Sequence, residues 1–359
     1  MRYAPGMSSA TDQQTGFRRP RQEFWEDRVV TVAEVRRMIA DLDPVENDAE
    51  ITHLSLEVIV PAIAAHAAYA SGTARGMIHP AEAYAGHRGG TGEQLTNPDH
   101  RDRDTLTYFG MFFREGHRSA YAQRLFDRVQ QIHHDVKGVS NDTQVHILGL
   151  LVFEPDQWID RIGGRDWFSE NEKQARYSLW KGVGEGMGLT GIPDSYDAFV
   201  EWVAAFERKH FKPTPEAAEL YRGQIEGFSR WFPGPKPVSR RAAGQMLTAG
   251  LSDLTKQAVD APYVAPGVRQ VWANGIRVMR AAEHVRKVNL SDTWISKFSR
   301  YGATIPHDTD LQKVGYQHDM ASDPRYLKAG DPRHGYTFTV QDGVRSARTD
   351  AESMTEENA

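Results

Sequence analysis

Apolar residues recur at helical spacing along most of the chain. Leu125, Val129 and Ile132, for example, follow one another at intervals of four and three residues, which places them on one face of a helix. Alternation of apolar and polar residues, typical of a half-buried strand, is brief everywhere before residues 337–341. The pattern predicts an all-α protein with helices at about 31–42, 50–70, 102–113, 118–137, 142–153, 155–162, 169–186, 194–210, 214–229, 238–248, 251–259 and 266–287.

Capping residues and prolines mark several of these predicted boundaries. Thr31 can cap the first helix, and Ser169 opens the S-x-x-E pattern of a capping box. Asn141 or Asp142 can cap the helix that begins near residue 142. Pro61 lies inside the second predicted helix and should kink or split it.

The same pattern defines the domain organisation. Residues 71–101 are rich in Gly, His, Thr and Asn and predict a long loop with at most one short helix. No linker interrupts residues 21–298, which we therefore expect to form one globular helical domain. Residues 1–20 predict a disordered tail, and residues 299–359 an extended or disordered arm.

Composition restricts the chemistry more than the fold. The 359 residues carry 43 basic and 48 acidic side chains, a net charge of −5, so the basic footprint of a nucleic-acid-binding protein is missing. The chain has no cysteine, which excludes disulfides, thiolate metal sites and thiol nucleophiles. No apolar run reaches the roughly 18 residues of a membrane span, and no secretory signal pattern is present. We expect a cytoplasmic protein whose metal or haem ligands are nitrogen and oxygen atoms.

One helix combines an apolar surface with a single histidine. Residues 145–153, VHILGLLVF, are apolar around the full circumference of a helix, so the helix should be buried on all sides. His146 is its only polar side chain, and a buried imidazole needs partners for its ring nitrogens. His146 is either a hydrogen-bonded core histidine or a haem or metal ligand. In the second case Gly149, on the same face, would leave room for a flat macrocycle.

A second candidate cluster lies near the start of the helix at 102–113. Arg103 and Thr107 are four residues apart and share a helix face. The apolar residues that follow carry this helix into the core. The pair could contact an anionic cofactor edge or polarise a ligand; alternatively, it belongs to a solvated helix start with Asp–Arg pairs.

Three motifs follow one another in order between residues 100 and 150. They are R-x-x-x-T before an apolar helix that ends at a glycine, then H-x-x-V-x-G, then a buried helix that begins Val-His. The residues that carry them are Arg103, Thr107 and Gly116, then His133, Val136 and Gly138, then Val145, His146 and Ile147. In this order and spacing, over about residues 50–290, the chain resembles the latex-clearing-protein/MpaB oxygenase family of all-helical haem b proteins.

The resemblance implies a function and a set of site residues. A haem b would be enclosed between buried helices, with His146 as the proximal ligand of its iron. Arg103 and Thr107 would lie close to the haem and support its retention or the activity. His133 would have a structural or supporting role and would not be an iron ligand. The protein would be an oxidoreductase that adds O₂ to a small, apolar, unsaturated molecule of isoprenoid or secondary-metabolite type.

The chain also departs from the rubber-cleaving members of that family. A lysine directly precedes the threonine in those members, whereas Leu106 stands here. Their distal glutamate base has only two candidates by location, Glu82 and Glu93. Because rubber lies outside the cell and no export signal is present, polyisoprene is not the expected substrate. The oligomeric state stays open.

Two alternatives use other residues. His133, His134 and Asp135 spell the HD doublet of helical divalent-metal phosphohydrolases, with His117 and Asp142 or Asp156 as further ligands. Residues 227–241, GFSRWFPGPKPVSRR, combine aromatic and basic residues that could bind a partner in a non-catalytic helical protein, or simply form a connecting loop.

Overall fold

Helices make up nearly all of the regular structure in a computed structural model of the chain. The structure describes residues 18–135, 139–298, 336–341 and 344–349. The predicted all-α class is confirmed for the described residues. Most of the predicted tail and arm lies outside them. The helices are α1 Val32–Ala40, α2 Asp48–Thr52, α3 Ala62–Gly76, α4 Pro80–His87, α5 Glu93–Thr96, α6 Pro98–Glu115, α7 Ala120–Asp135, α8 Asn141–Arg161, α9 Glu170–Gly186, α10 Tyr196–His210, α11 Pro215–Phe228, α12 Lys236–Ala249, α13 Asp253–Ala258, α14 Val268–Ala281 and α15 Trp294–Phe298.

Two short antiparallel pairs of strands accompany the helices. β1 (Val29–Thr31) pairs with β2 (Lys287–Asn289), so that Val30 faces Val288. β3 (Tyr336–Gln341) pairs with β4 (Val344–Thr349) at the alternating segment. The first pair joins chain segments that precede α1 and follow α14.

The predicted caps are confirmed at two helices and wrong at a third. Thr31 and Ser169 both form capping boxes, at α1 and α9. Helix α8 is capped by Ser140 rather than by Asn141 or Asp142. The Ser140 hydroxyl accepts from the Thr143 amide at 3.2 Å, and the Thr143 hydroxyl accepts from the Ser140 amide at 2.8 Å. This reciprocal pair satisfies two backbone donors at once.

The prediction of a long loop over 71–101 is wrong. Helix α3 continues to Gly76, and α4 and α5 follow before α6 begins at Pro98. Pro80 occupies the first turn of α4, where its missing amide costs nothing, and His79 Nδ1 accepts from the Ala81 amide at 3.2 Å. The two helices expected at 142–162 are also a single helix, α8, with Pro155 inside it.

Pro61 breaks the second predicted helix, as its position suggests. A π-helix over His53–Ile59 follows α2, and α3 begins after Pro61. Within the described residues no single helix is long and apolar enough to cross a membrane. The segments Asp48–Ile59 and Ala62–Gly76 meet those criteria only together, and they are bent by 115°.

A buried histidine in the π-helix ties the two ends of the domain together. His53 Nδ1 lies 2.7 Å from a carboxylate oxygen of Glu57. Its Nε2 faces two carbonyl oxygens, those of Phe24 at 3.1 Å and Leu290 at 2.9 Å. Oxygen atoms of three different residues therefore face the two ring nitrogens. The ring thus joins the segment before β1, the π-helix and the segment after β2.

Candidate active site

A cavity of about 390 Å³ lies inside the helical domain, a volume typical of small-molecule sites. It is lined mainly by apolar residues of α3, α6 and α8, with α4, α5 and α7 at one end. Most of the polar lining residues gather at that end, namely Glu82, Arg88, Glu93, Gln94, Arg101, Asp104, Thr105, His133 and Gln144, whereas Thr73 and Glu154 line the cavity further along α3 and α8. The cavity therefore has a polar end, at the N-terminal turns of α6 and α8, and an apolar end.

His133 is the histidine that lines this cavity. It lies near the end of α7, and its Nδ1 is 2.7 Å from the side-chain oxygen of Gln144 on α8. An amide oxygen only accepts, so Nδ1 carries the proton and the lone pair is on Nε2. Burial lowers the pKa of the His133 imidazole, with the Arg101 guanidinium acting in the same direction. The ring is therefore neutral at neutral pH, which is the form that binds a metal.

An arginine and a threonine of α6 face the same end of the cavity. Arg101 and Thr105 both line it, and the guanidinium of Arg101 donates to the Thr105 hydroxyl. Tyr69 of α3 also lines the cavity, and its buried hydroxyl has no hydrogen-bond partner among the described residues. Burial raises the pKa of Tyr69 to about 12, so the hydroxyl stays a donor. The hydroxyl groups of Thr73 and Thr105 lie near this donor.

Two glutamates reach the polar end from α4 and α5. Glu82 and Glu93, the two candidates for a distal glutamate base, both line the cavity. Burial raises the pKa of Glu82 to about 7, with the Thr143 hydroxyl acting in the opposite direction. A carboxyl group with this pKa can accept or release a proton at neutral pH.

The arrangement can now be compared with known proteins. Residues 61–286, more than half of the chain, match the family described as ER-bound oxygenase mpaB/B′/rubber oxygenase, catalytic domain. The chain belongs to the mpaB/rubber oxygenase family. The predicted resemblance is thereby confirmed, and the matched residues include the cavity's polar end. None of the curated proteins compared is similar enough to count as a relative.

In this member of the mpaB/rubber oxygenase family, His146 lies outside the cavity lining. It is fully buried between α8 and α10, with its ring stacked on Phe206 at 4.8 Å. Its Nε2 contacts a carboxylate oxygen of Glu207 at 3.1 Å, and Nδ1 has no partner among the described residues. Burial lowers the pKa of His146. The structure thus supplies a hydrogen-bond partner for Nε2 and none for Nδ1, and the ligand role that the resemblance implies for His146 stays a prediction.

Glu207 connects His146 to a larger buried network. Arg75 of α3 donates from Nε and Nη2 to the two carboxylate oxygens of Glu207, and from Nη1 to Glu154 at 2.9 Å. Glu154 also accepts from Ser71 at 2.6 Å and from Arg161. Two arginines and two glutamates therefore neutralise one another between α3, α8 and α10.

The space expected beside Gly149 is filled by protein. A Cβ atom on Gly149 would come within 2.7 Å of Val203 and 2.8 Å of Phe199, both on α10. Gly149 therefore allows α10 to approach α8 closely. The structure leaves no gap for a macrocycle on this face of the described helix.

Arg103 and Thr107 are also absent from the cavity lining. The Thr107 hydroxyl donates to the carbonyl oxygen of Arg103 at 2.7 Å, a contact within the helix. The R-x-x-x-T spacing occurs twice in α6, and the earlier pair, Arg101 and Thr105, faces the cavity. Sequence reasoning selected the later pair. The overlapping motif at 101–105 was the signal that could have identified the earlier one.

The residues of the two alternatives have other environments. Among the described residues no group of three or more His, Asp or Glu side chains is arranged to hold a metal ion. The side chains of His134 and Asp135 lie outside the described set, while His117 contacts Asp48 at 3.0 Å. In the segment 227–241, the indole of Trp231 donates to His66 Nδ1 at 2.8 Å, so this tryptophan joins the loop to α3.

A glutamine at position 82 should make the stability of the protein less sensitive to pH. The Glu82 carboxyl has a pKa of about 7 in the folded state and an ordinary value of 4.5. Between these values the folded protein holds a proton that the unfolded chain has released. The free energy of unfolding therefore falls as pH rises through this range, by up to about 3 kcal/mol. Glu82→Gln should remove that loss, as measured by urea unfolding at pH 5 and pH 8. The exposed Glu201→Gln serves as control, and equal pH dependence in Glu82→Gln and wild type would contradict the expectation.

Proposed function

We propose that the protein is a haem b-dependent oxygenase that acts on a small, apolar, unsaturated molecule within the cavity. The family membership supports oxygenase chemistry. The observation that carries the haem is His133, a half-buried neutral imidazole on the cavity wall whose Nδ1 is bound to Gln144, which leaves Nε2 for a ligand. One axial histidine suffices for haem, which agrees with the absence of a multi-ligand metal cluster among the described residues.

The lining residues fit a haem in charge and in donor chemistry. His133 would ligate the iron through Nε2, and Gln144 would fix the ring orientation and tautomer through Nδ1. Arg101, on the same end of the cavity, is a cation suited to the carboxylates of the haem. Haem, when bound, would supply an iron that binds and activates O₂.

The remaining groups of the cavity have roles toward the substrate. Glu82, with a pKa of about 7, would accept a proton from the substrate during oxidation and release it afterwards. The apolar walls exclude water and favour a substrate without charge. Leu106, which directly follows Thr105, is buried and lines the cavity. An apolar wall there is consistent with a small lipid-like substrate.

The absorption spectrum of the purified protein tests this function directly. We expect a Soret band in the oxidised protein, as isolated or after reconstitution with hemin. The band should shift after reduction with dithionite and again after addition of CO. O₂ consumption with unsaturated lipids would then identify the substrate. A protein that stays colourless after incubation with hemin would contradict the proposal, and metal analysis would then test the phosphohydrolase alternative.

A further inference from the structure

The two ends of the cavity are far apart. Arg101 and Phe113 both line it and lie 12 residues apart on the continuous helix α6, a distance of about 18 Å along the helix axis. Gln144 and Trp158 line it from α8 and are about 21 Å apart by the same measure. A cofactor bound at His133 therefore leaves the opposite end of the cavity for a substrate.

That opposite end is walled by aromatic rings. Phe113 packs edge-on against Trp294, with ring centroids 5.2 Å apart, and against Trp180 at 6.0 Å. Phe109 contacts Trp180 at 5.2 Å. Trp294, Trp180 and Phe113 are 7%, 3% and 0% exposed, whereas Arg101 and His133 at the polar end are partly exposed. Among the described residues, the cavity is thus open toward its polar end and closed by aromatic rings at the other.

Trp294 is held firmly in this wall. Its indole donates to the carbonyl oxygen of Leu56 at 3.0 Å, and its backbone amide donates to the Glu57 carboxylate at 3.0 Å. One turn later, Lys297 donates to the carbonyl oxygens of Glu57 and Val58. These bonds attach α15 to the π-helix. Hydrogen bonds from the side chain and from the backbone of Trp294 therefore fix its ring in the end wall.

The chemistry of the closed end selects for hydrocarbon. Glu154, which also lines the cavity, is neutralised by Arg75 and Arg161 and offers no unpaired charge to a ligand. Burial of each methylene against such walls is worth about fourfold in affinity. A polymer passing through the cavity would need an exit, which the aromatic wall blocks. A short lipid chain that enters the cavity end-first needs no exit.

We propose that the closed end is a chamber for the hydrocarbon end of a chain-like substrate, and that Trp294 sets the longest chain that fits. This inference rests on the proposed function for the identity of the reaction, but the chamber itself is a binding site that does not depend on haem. It restricts the substrate class to short, single-chain lipids that enter end-first. Trp294 is a specificity-determining residue in this assignment.

Binding of straight-chain primary alcohols of increasing length tests the chamber. With the full chain as purified, affinity measured by calorimetry should rise about fourfold per methylene and then stop rising at a limiting length. Trp294→Ala should move this limit to longer chains, and Trp294→Leu should move it by less. Trp202→Ala, at a tryptophan of α10 outside the cavity lining, should leave it unchanged.

Several results would overturn the chamber. An affinity independent of chain length, or the same limiting length in Trp294→Ala and Trp294→Leu as in wild type, would each do so. Circular dichroism establishes that the variants are folded, and Trp294→Leu keeps an apolar side chain if alanine destabilises α15. A protein that never binds haem but shows the chain-length limit would refute the proposed function while supporting the chamber.

Discussion

His133→Ala should lower the affinity of the protein for hemin by more than about hundredfold, whereas His146→Ala should leave haem binding nearly intact. The removed imidazole is the one on the cavity wall, with Nδ1 bound to Gln144 and Nε2 available. Loss of a residue that only hydrogen-bonds to a metal ligand typically lowers metal affinity about 10–100-fold, and loss of the ligand itself should lower it more. Hemin titration followed by Soret absorbance measures the effect.

A further variant and a rescue experiment add two controls to this measurement. Gln144→Ala should lower hemin affinity less than His133→Ala does, because the ligand remains but its ring is no longer fixed. Added imidazole should restore the spectrum of His133→Ala, since the vacated space can hold a free ring. If His146→Ala loses haem and His133→Ala retains it, His146 is the ligand, as the sequence resemblance implied, and the geometric argument for His133 fails.

Arg75→Met should destabilise the fold by about 3–5 kcal/mol. Arg75 is the shared partner of Glu154 and Glu207, and its removal leaves Glu207 with only the His146 imidazole. Breaking a buried charge network from one side is costly because the remaining charge is neither solvated nor paired. Urea unfolding at pH 7 measures the loss. Arg240→Ala removes an exposed ion pair with Glu226 and should leave the free energy of unfolding nearly unchanged.

The pH dependence of the same variant offers a second readout. Glu207 has its pKa lowered in the folded protein, against burial, by its bonds to His146 and Arg75. Without Arg75 the carboxyl should protonate more readily, so acidification toward pH 5 should restore part of the lost stability. Arg75→Lys keeps one charge but not the bidentate geometry, and it should show an intermediate loss. A loss below about 1 kcal/mol in Arg75→Met would show that the network is not essential to the fold.

Helical periodicity and capping chemistry predicted most of the fold because both act over a few residues. The capping boxes at Thr31 and Ser169 and the break at Pro61 are of this kind. The region 71–101 was mispredicted because its Gly, His and Asn residues favour loops locally. Burial of its alanines against the cavity and the first-turn proline of α4 outweigh that preference.

The site was harder to predict because it depends on how each helix is rotated. Residues two apart on a helix point about 200° away from each other, so Arg101 and Arg103 face opposite sides of α6. Only the packing of α6 against its neighbours decides which R-x-x-x-T pair meets the cavity. The burial of His146 was predicted correctly, but its partner Glu207 is 61 residues away and carries no local signal.

The segment that matches the family is shorter than the segment that forms the folded helical domain. The match covers 61–286, yet the ring of His53, strand β2 and Trp294 all lie outside those limits and complete the cavity or its support. A gene fragment cut at the limits of the match would remove Val288, Leu290 and Trp294, and it would expose the face of α6 that Trp294 covers. Fragments intended for expression should therefore begin before Phe24 and extend beyond Lys297, so that the two flanking segments fold with the helices that they enclose.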